Sequence, residues 1–234
     1  MKIILALVVV ILLVIAYYSV TTYQKFSAAQ KLIAKAEPFQ KNDGDDGPSL
    51  LVLGDSTAVG VGAYRKEDTI PALLGFSSVE NKAVSGARVA DLEKQMTEAQ
   101  KEKYDLILIM IGANDVIRFA NAKRTAEALR KVLGILPENE RLVFVLSAGN
   151  VGGTKLFPWF VRPFHTRLNM KYHDEFETVV TEAGGEYVNL YENPKTDPFI
   201  EEPHIYLAPD GLHPSSKGYA VWLEKILKQT GLVQ

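Results

Sequence analysis

Three side chains in this sequence could together activate an oxygen nucleophile: Ser56, His213 and Asp210. Serine is a weak nucleophile until a base removes its proton, and histidine is the side chain whose pKa suits that task near neutrality. The histidine needs a partner on its second ring nitrogen, to fix the tautomer and to stabilise the cation. Asp210 and His213 are three residues apart, a spacing that one helical turn brings to one face, so one short segment can supply an oriented base. The remaining need is for donors aimed at a developing oxyanion. The backbone N–H groups of Ser56 and Gly86 and the side-chain amide of Asn114 could meet it. Glycine at 86 leaves room for a substrate oxygen, and an amide at 114 donates without titrating.

These residues need elements that bring them together. Residues 50–53 are four apolar residues, too few for a helix, and read as a buried parallel strand. The run stops at Gly54-Asp55-Ser56, which puts the hydroxyl at the carboxyl end of a strand, where open α/β sheets place ligands. A plain helix cap at Ser56 or Asp55 is the simpler alternative, but it leaves the other blocks unexplained. Further strands are predicted over 79–84, 105–111, 142–146 and 187–190, and helices over 69–76, 89–99, 122–136, 164–183 and 215–229. Strand and helix alternate five times, which argues for an open, mostly parallel sheet with helices on both faces. Right-handed crossovers then line up the strand-end turns, which carry Ser56, Gly86, Asn114 and Asn150, along one edge.

The chain has 234 residues, enough for one domain and something more. A net charge of -2 gives no electrostatic footprint for nucleic acid, and the absence of cysteine excludes a thiol nucleophile, a disulfide framework and a thiolate zinc site. Residues 3–18 are all apolar, and Ser19-Val20 extends the run towards the roughly 20 residues that cross a bilayer. A cleaved signal has a shorter apolar core of about 7–15 residues and a small-residue site, and here Tyr17 and Tyr18 occupy that place. Tyr17, Tyr18 and Tyr23 suit a membrane interface. The expected organisation is a transmembrane signal-anchor over 1–22, a juxtamembrane helix and polar linker over 23–48, and a globular domain over 49–234. Two rules conflict on orientation. Lys25, Lys31 and Lys35 outnumber Lys2 and favour a cytoplasmic domain, whereas a short basic start before an apolar run is leader-like. The leader-like start sets the expectation of a single-pass protein with an extracytoplasmic domain.

Four blocks occur in order: Gly54-Asp55-Ser56, the lone Gly86, Gly112-Ala113-Asn114-Asp115 and Asp210-Gly211-Leu212-His213. In this they resemble the SGNH (GDSL-type) hydrolases, over about residues 49–229. The resemblance implies a three-layer α/β/α, flavodoxin-like fold with a five-stranded parallel sheet. It implies ester hydrolysis through an acyl intermediate on Ser56, with His213 as base, Asp210 as its orienter, and an oxyanion hole of Ser56, Gly86 and Asn114. No metal or cofactor is implied. Thr57 departs from the Leu of the family name, at a position that tolerates variation. The tight Asp-x-x-His and the missing glycine of Gly-x-Ser-x-Gly separate the chain from α/β-hydrolases. The expected substrate is a small-molecule or lipid ester, lipid-like or envelope-bound. The alternatives are a glycan O-deacetylase or thioesterase of the same fold, and, in another class, a membrane-tethered binding protein without turnover.

Residues outside the four blocks have plainer readings beside functional ones. Asp115 reads as a structural hydrogen-bonder at a strand end. His165 and His173 are too loosely spaced along a helix for a metal and read as solvated surface, and His204 as surface or pocket rim. Phe157, Trp159 and Phe160 read as a loop packed on the core or, more sharply, as an apolar wall for an acyl chain or a membrane-dipping surface. With Asn150 they are the candidate substrate-binding residues.

Overall fold

Apolar runs too short for helices become the centre of a sheet. A computed structural model describes residues 2–44, 47–154 and 157–232, so Asp45 and Asp46 of the expected linker lie outside the described residues. In chain order the elements are α1 (Lys2–Ile33), β1 (Lys41–Asn42), β2 (Ser49–Gly54), α2 (Ser56–Val59), α3 (Ile70–Leu73), β3 (Ser78–Asn81), α4 (Leu92–Thr97) and β4 (Lys103–Ile111). They continue as α5 (Ala113–Ile117), α6 (Ala122–Leu133), β5 (Glu138–Leu146), α7 (Arg162–Glu182), β6 (Glu186–Val188), α8 (Pro198–Glu201), α9 (Pro203–Tyr206) and α10 (Ser216–Thr230).

The sheet order is β1-β3-β2-β4-β5-β6. All neighbours are parallel except β1, which runs antiparallel to β3 through Lys41↔Val79 and Asn42↔Ser78. All six residues of β2 are buried, as a strand covered on both faces requires. Alternate residues feed two cores. Leu51, Leu53, Ile107, Ile109 and Phe144 pack with Leu129 of α6 and Tyr172, Phe176 and Val180 of α7. Leu50, Val52, Leu108, Met110 and Val145 pack with Val59, Ile70 and, on α10, Tyr219, Leu223 and Ile226. Each fully buried aliphatic or aromatic side chain contributes about 1.5–3 kcal/mol. This is the three-layer, flavodoxin-like architecture.

The sheet has six strands where five were expected. The extra one, β1, lies within residues expected as linker. Two residues carry no readable period, yet they cover the open backbone edge of β3. Gln40 fastens the same edge: its Nε2 donates to Asn81 O at 2.6 Å and its Oε1 accepts from Asn81 N at 3.1 Å. Residues 193–209, between β6 and α10, contain α8 and α9, each opening on a proline, the residue suited to a first helical turn. The apolar run and the juxtamembrane pattern merge into one helix of 32 residues, α1, long and apolar enough to cross a membrane. Its last turn is not free: Leu32 and Ile33, followed by Ala36 and Phe39, pack against the core on the α10 side.

Candidate active site

The turn that presents Ser56 is built by its neighbours. Gly54 closes β2 at φ +148°, and a Cβ there would lie 2.0 Å from Met110 O, so the close crossing of β2 over β4 admits only glycine. By this point β3 has ended, and Gln95 of α4 takes its place. Its Oε1 accepts from Gly54 N and its Nε2 donates to Gly54 O, both at 2.8 Å. Asp55 caps α2: its Oδ1 accepts from Thr57 N and Thr57 Oγ1, both at 2.9 Å. Its Oδ2 accepts from Ser147 Oγ at 2.6 Å, and that hydroxyl accepts from Ala113 N at 3.0 Å. The ends of β2, β4 and β5 are thus tied through one carboxyl group. Burial pushes the Asp55 pKa up, and the hydrogen bonds from Ser147 and Thr57 oppose it.

Ser56 is the first residue of α2 and is 8% exposed. Its Oγ lies 2.8 Å from His213 Nε2, and His213 Nδ1 lies 2.5 Å from Asp210 Oδ2. Asp210 Oδ1 accepts from the backbone N–H of Leu212 at 3.0 Å and of His213 at 3.1 Å. Burial works against its charge, but the hydrogen bonds from His213 and Leu212 outweigh it and hold the Asp210 carboxyl below its ordinary range. The helical turn expected for Asp-x-x-His is corrected here. The segment is a non-helical turn wound on the Asp210 side chain, with Gly211 at φ +68° and Ala208 N donating to His213 O at 2.8 Å. A side chain that satisfies two N–H groups locally replaces the helix.

Gly86 has φ +85° and no atom within 4 Å of where a Cβ would stand, so backbone conformation requires the glycine and its open side faces the cleft. Asn114 Nδ2 donates to Ala87 O at 3.0 Å, which joins α5 to the Gly86 loop. Asp115 supports the same loop, accepting from Val89 N at 3.1 Å, and burial raises its pKa to about 6. Ser56, Gly86, Asn114, Asp210 and His213 all line one cleft of 360 Å³. That volume lies at the lower end of the range for small-molecule sites, about 300–1,000 Å³.

The candidate substrate residues divide. Phe157 lines this cleft; Asn150, Trp159 and Phe160 do not. Asn150 is turned into its own loop, with Oδ1 accepting from Gly153 N at 3.1 Å and Nδ2 donating to Glu192 O at 3.2 Å. A strand-end position alone does not say which way an amide points. Phe160 packs edge-on against Tyr18 of α1, ring centroids 6.1 Å apart, and Trp159 packs against Phe160 at 5.8 Å. His165 and His173 are buried, not solvated: His165 stacks on Phe157 at 3.9 Å, and His173 Nδ1 lies 2.5 Å from the Tyr187 hydroxyl. Burial lowers the His173 pKa to about 4. The helix period over 164–183 is polar enough to disguise which face is covered.

Sequence reasoning missed one wall of the cleft altogether. Thr22, Lys25, Phe26, Ala29, Gln30 and Ile33 of α1 line it. Their spacing marks one helical face, and the polar Thr22 and Gln30 interrupting an apolar helix were the available signal.

The fold is shared with solved structures of low sequence identity. An acetylxylan esterase from Geobacillus stearothermophilus superposes with a TM-score of 0.58 at 20% identity, covering 82% of this chain and 99% of that one. A member of the lipolytic protein G-D-S-L family from Veillonella parvula gives 0.59 at 13% identity, covering 79% and 99%. A lipase/acylhydrolase from Enterococcus faecalis gives 0.57 at 19% identity, covering 77% and 94%. No curated protein matches the sequence significantly. Residues 52–221, well over half of the chain, match the GDSL-like Lipase/Acylhydrolase family, and the chain belongs to that family of ester-hydrolysing enzymes.

Proposed function

We propose that this protein is a membrane-anchored serine esterase in which Ser56 is the nucleophile, His213 the general base and Asp210 its orienting acid. The unbroken hydrogen-bonded path from Ser56 Oγ through both His213 nitrogens to Asp210 Oδ2 carries the reading. In the first step Ser56 Oγ attacks the ester carbonyl and its proton passes to His213 Nε2. The charge moves to the carbonyl oxygen, and the N–H groups of Ser56 and Gly86 and the Asn114 amide are the donors assigned to it. Collapse of this intermediate expels the alcohol, which takes the proton from His213. Water then attacks the acyl-Ser56 ester, giving its proton to His213, and collapse releases the acid as His213 returns that proton to Ser56 Oγ. Asp210 keeps its negative charge throughout and stabilises the transient imidazolium.

Residues 1–22 serve as the anchor in this reading, residues 23–48 join it to the hydrolase domain over 49–234, and that domain faces away from the cytoplasm. The cleft favours a lipid-like ester over an acetylated glycan, because its walls include Phe26, Ile33, Ile117, Val151 and Phe157. Nitrophenyl esters from acetyl to hexadecanoyl, with one acyl thioester, test the assignment on the full chain in detergent. Hydrolysis that rises with acyl length and vanishes in Ser56→Ala is expected. Preference for acetyl would move the assignment to deacetylation, and preference for the thioester to a thioesterase. No turnover of any of these by folded protein would favour a binding protein.

A further inference from the structure

The membrane helix does more than tether. Val14, Tyr18, Thr22, Phe26, Ala29 and Ile33 recur at intervals of four, four, four, three and four, which places them on one face of α1. The lower part of this stripe, from Thr22 to Ile33, walls the Ser56 cleft. The upper part, from Val14 to Phe26, lines a second, shallow and open apolar groove with Phe160 beside it. Thr22 and Phe26 belong to both. The cleft and the groove are therefore consecutive stretches of one track.

We infer that this track is the acyl-chain site: the substrate is a long-chain acyl ester resident in the bilayer, its carbonyl at Ser56 and its tail lying along α1 towards Val14. The inference rests on the serine-esterase reading above and specifies its substrate.

Dimensions and chemistry support it. From Phe26 to Val14 is 12 residues, or about 18 Å at 1.5 Å per residue, which suits a long acyl chain and leaves an acetyl group without contact over most of the path. α1 is long and apolar enough to cross a membrane, and none of its apolar stretch is buried in the protein. About 20 residues cross the hydrocarbon, so an anchor over 3–22 leaves Phe26 and Ile33 just outside it, against the domain. Phe160, 50% exposed, packs on Tyr18, and Trp159, 70% exposed, packs on Phe160, a cluster of the kind found at a bilayer surface. The groove thus opens to lipid at one end and to Ser56 at the other, so a chain need not cross water to reach the nucleophile.

A fluorophosphonate carrying a hexadecyl chain with a terminal diazirine tests this on the full chain in vesicles of phosphatidylcholine and phosphatidylglycerol. Ser56 displaces fluoride from phosphorus, and photolysis then records where the chain end lies. Crosslinks within residues 10–19 of α1 are expected. Crosslinks confined to the globular domain would overturn the inference while leaving Ser56 as nucleophile, whereas no phosphonylation would remove the esterase reading and this inference with it. Thr22→Trp, which fills the joint between cleft and groove, supplies a second readout. The ratio of kcat/KM for hexadecanoyl over acetyl nitrophenyl ester should fall about tenfold or more, as expected for obstructing an apolar pocket. An unchanged ratio, with or without a rise in acetyl turnover, would make α1 a cover over the cleft rather than a guide for the chain.

Discussion

Two buried carboxyl groups, Asp210 and Asp115, have pKa values shifted in opposite directions. Asp210 is held below its ordinary range by hydrogen bonds within its own turn, so the stability it contributes is present above the unfolded carboxylate pKa and lost as pH falls through the lower folded value. Asp115 is the reverse: burial raises it to about 6, so the folded state keeps a proton that the unfolded chain releases near 4. Its contribution therefore declines as pH rises from about 4 to 6. Asp115→Asn keeps an acceptor for Val89 N and removes the titration. The variant should gain about 1–3 kcal/mol relative to the parent between pH 4 and 7, read as a shift in urea midpoint at each pH. A difference constant over that range would rule out a raised Asp115. On the proposed mechanism Asp210→Asn has a kinetic effect instead, lowering kcat by about 10⁴-fold with little change in KM. At this scale the four blocks made Ser56, Gly86, Asn114, Asp210 and His213 legible, because each is a chemically unusual choice at a strand end or turn. Asn150 was misread because an amide's direction depends on contacts that sequence order does not reveal.

At the scale of elements, the Ser56 turn is held where β3 stops short of the end of β2. Gln95 replaces the absent strand by pairing both backbone groups of Gly54 inside the core. Gln95→Ala leaves the buried Gly54 N–H without a partner, at a cost of about 1–3 kcal/mol, while Gly54 O keeps its bond from Val84 N at 3.1 Å. The expected result is a lower urea midpoint together with slower phosphonylation of Ser56, since the same bonds fix the turn. Gly54→Ala meets Met110 O head-on and should cost more than the 1–3 kcal/mol of Gly86→Ala, which has space but the wrong φ. Comparative unfolding midpoints of the two variants check that order. The alternation of strand and helix was readable from apolar runs and punctuation. β1 and Gln95 were not, since two edge residues and one polar side chain on a short helix leave no periodic trace. The Asp-x-x-His turn shows a related limit: spacing of three fits a helix and an aspartate-wound turn equally well.

For the whole molecule, the proposed function has α1 couple location to chemistry. Its 32 residues span about 48 Å, against a hydrocarbon core of about 30 Å, and the remainder forms a wall of the cleft. The chain should stay with membranes through alkaline carbonate washing, and protease added to intact cells should remove the globular domain if it faces outward. Survival of that domain in intact cells, with digestion after lysis, would reverse the orientation. The sequence announced the apolar helix plainly but not its return contact with the active site, because that contact joins residues 22–33 to loops scattered over the rest of the chain.

On the proposed mechanism Ser56 is an activated nucleophile. Intact mass spectrometry of the full chain after reaction with a short fluorophosphonate tests it most directly. One adduct on the parent protein, absent from Ser56→Ala and strongly slowed in His213→Ala, is the predicted result. A folded parent protein that takes up no adduct, or takes it up equally in Ser56→Ala, would contradict the account.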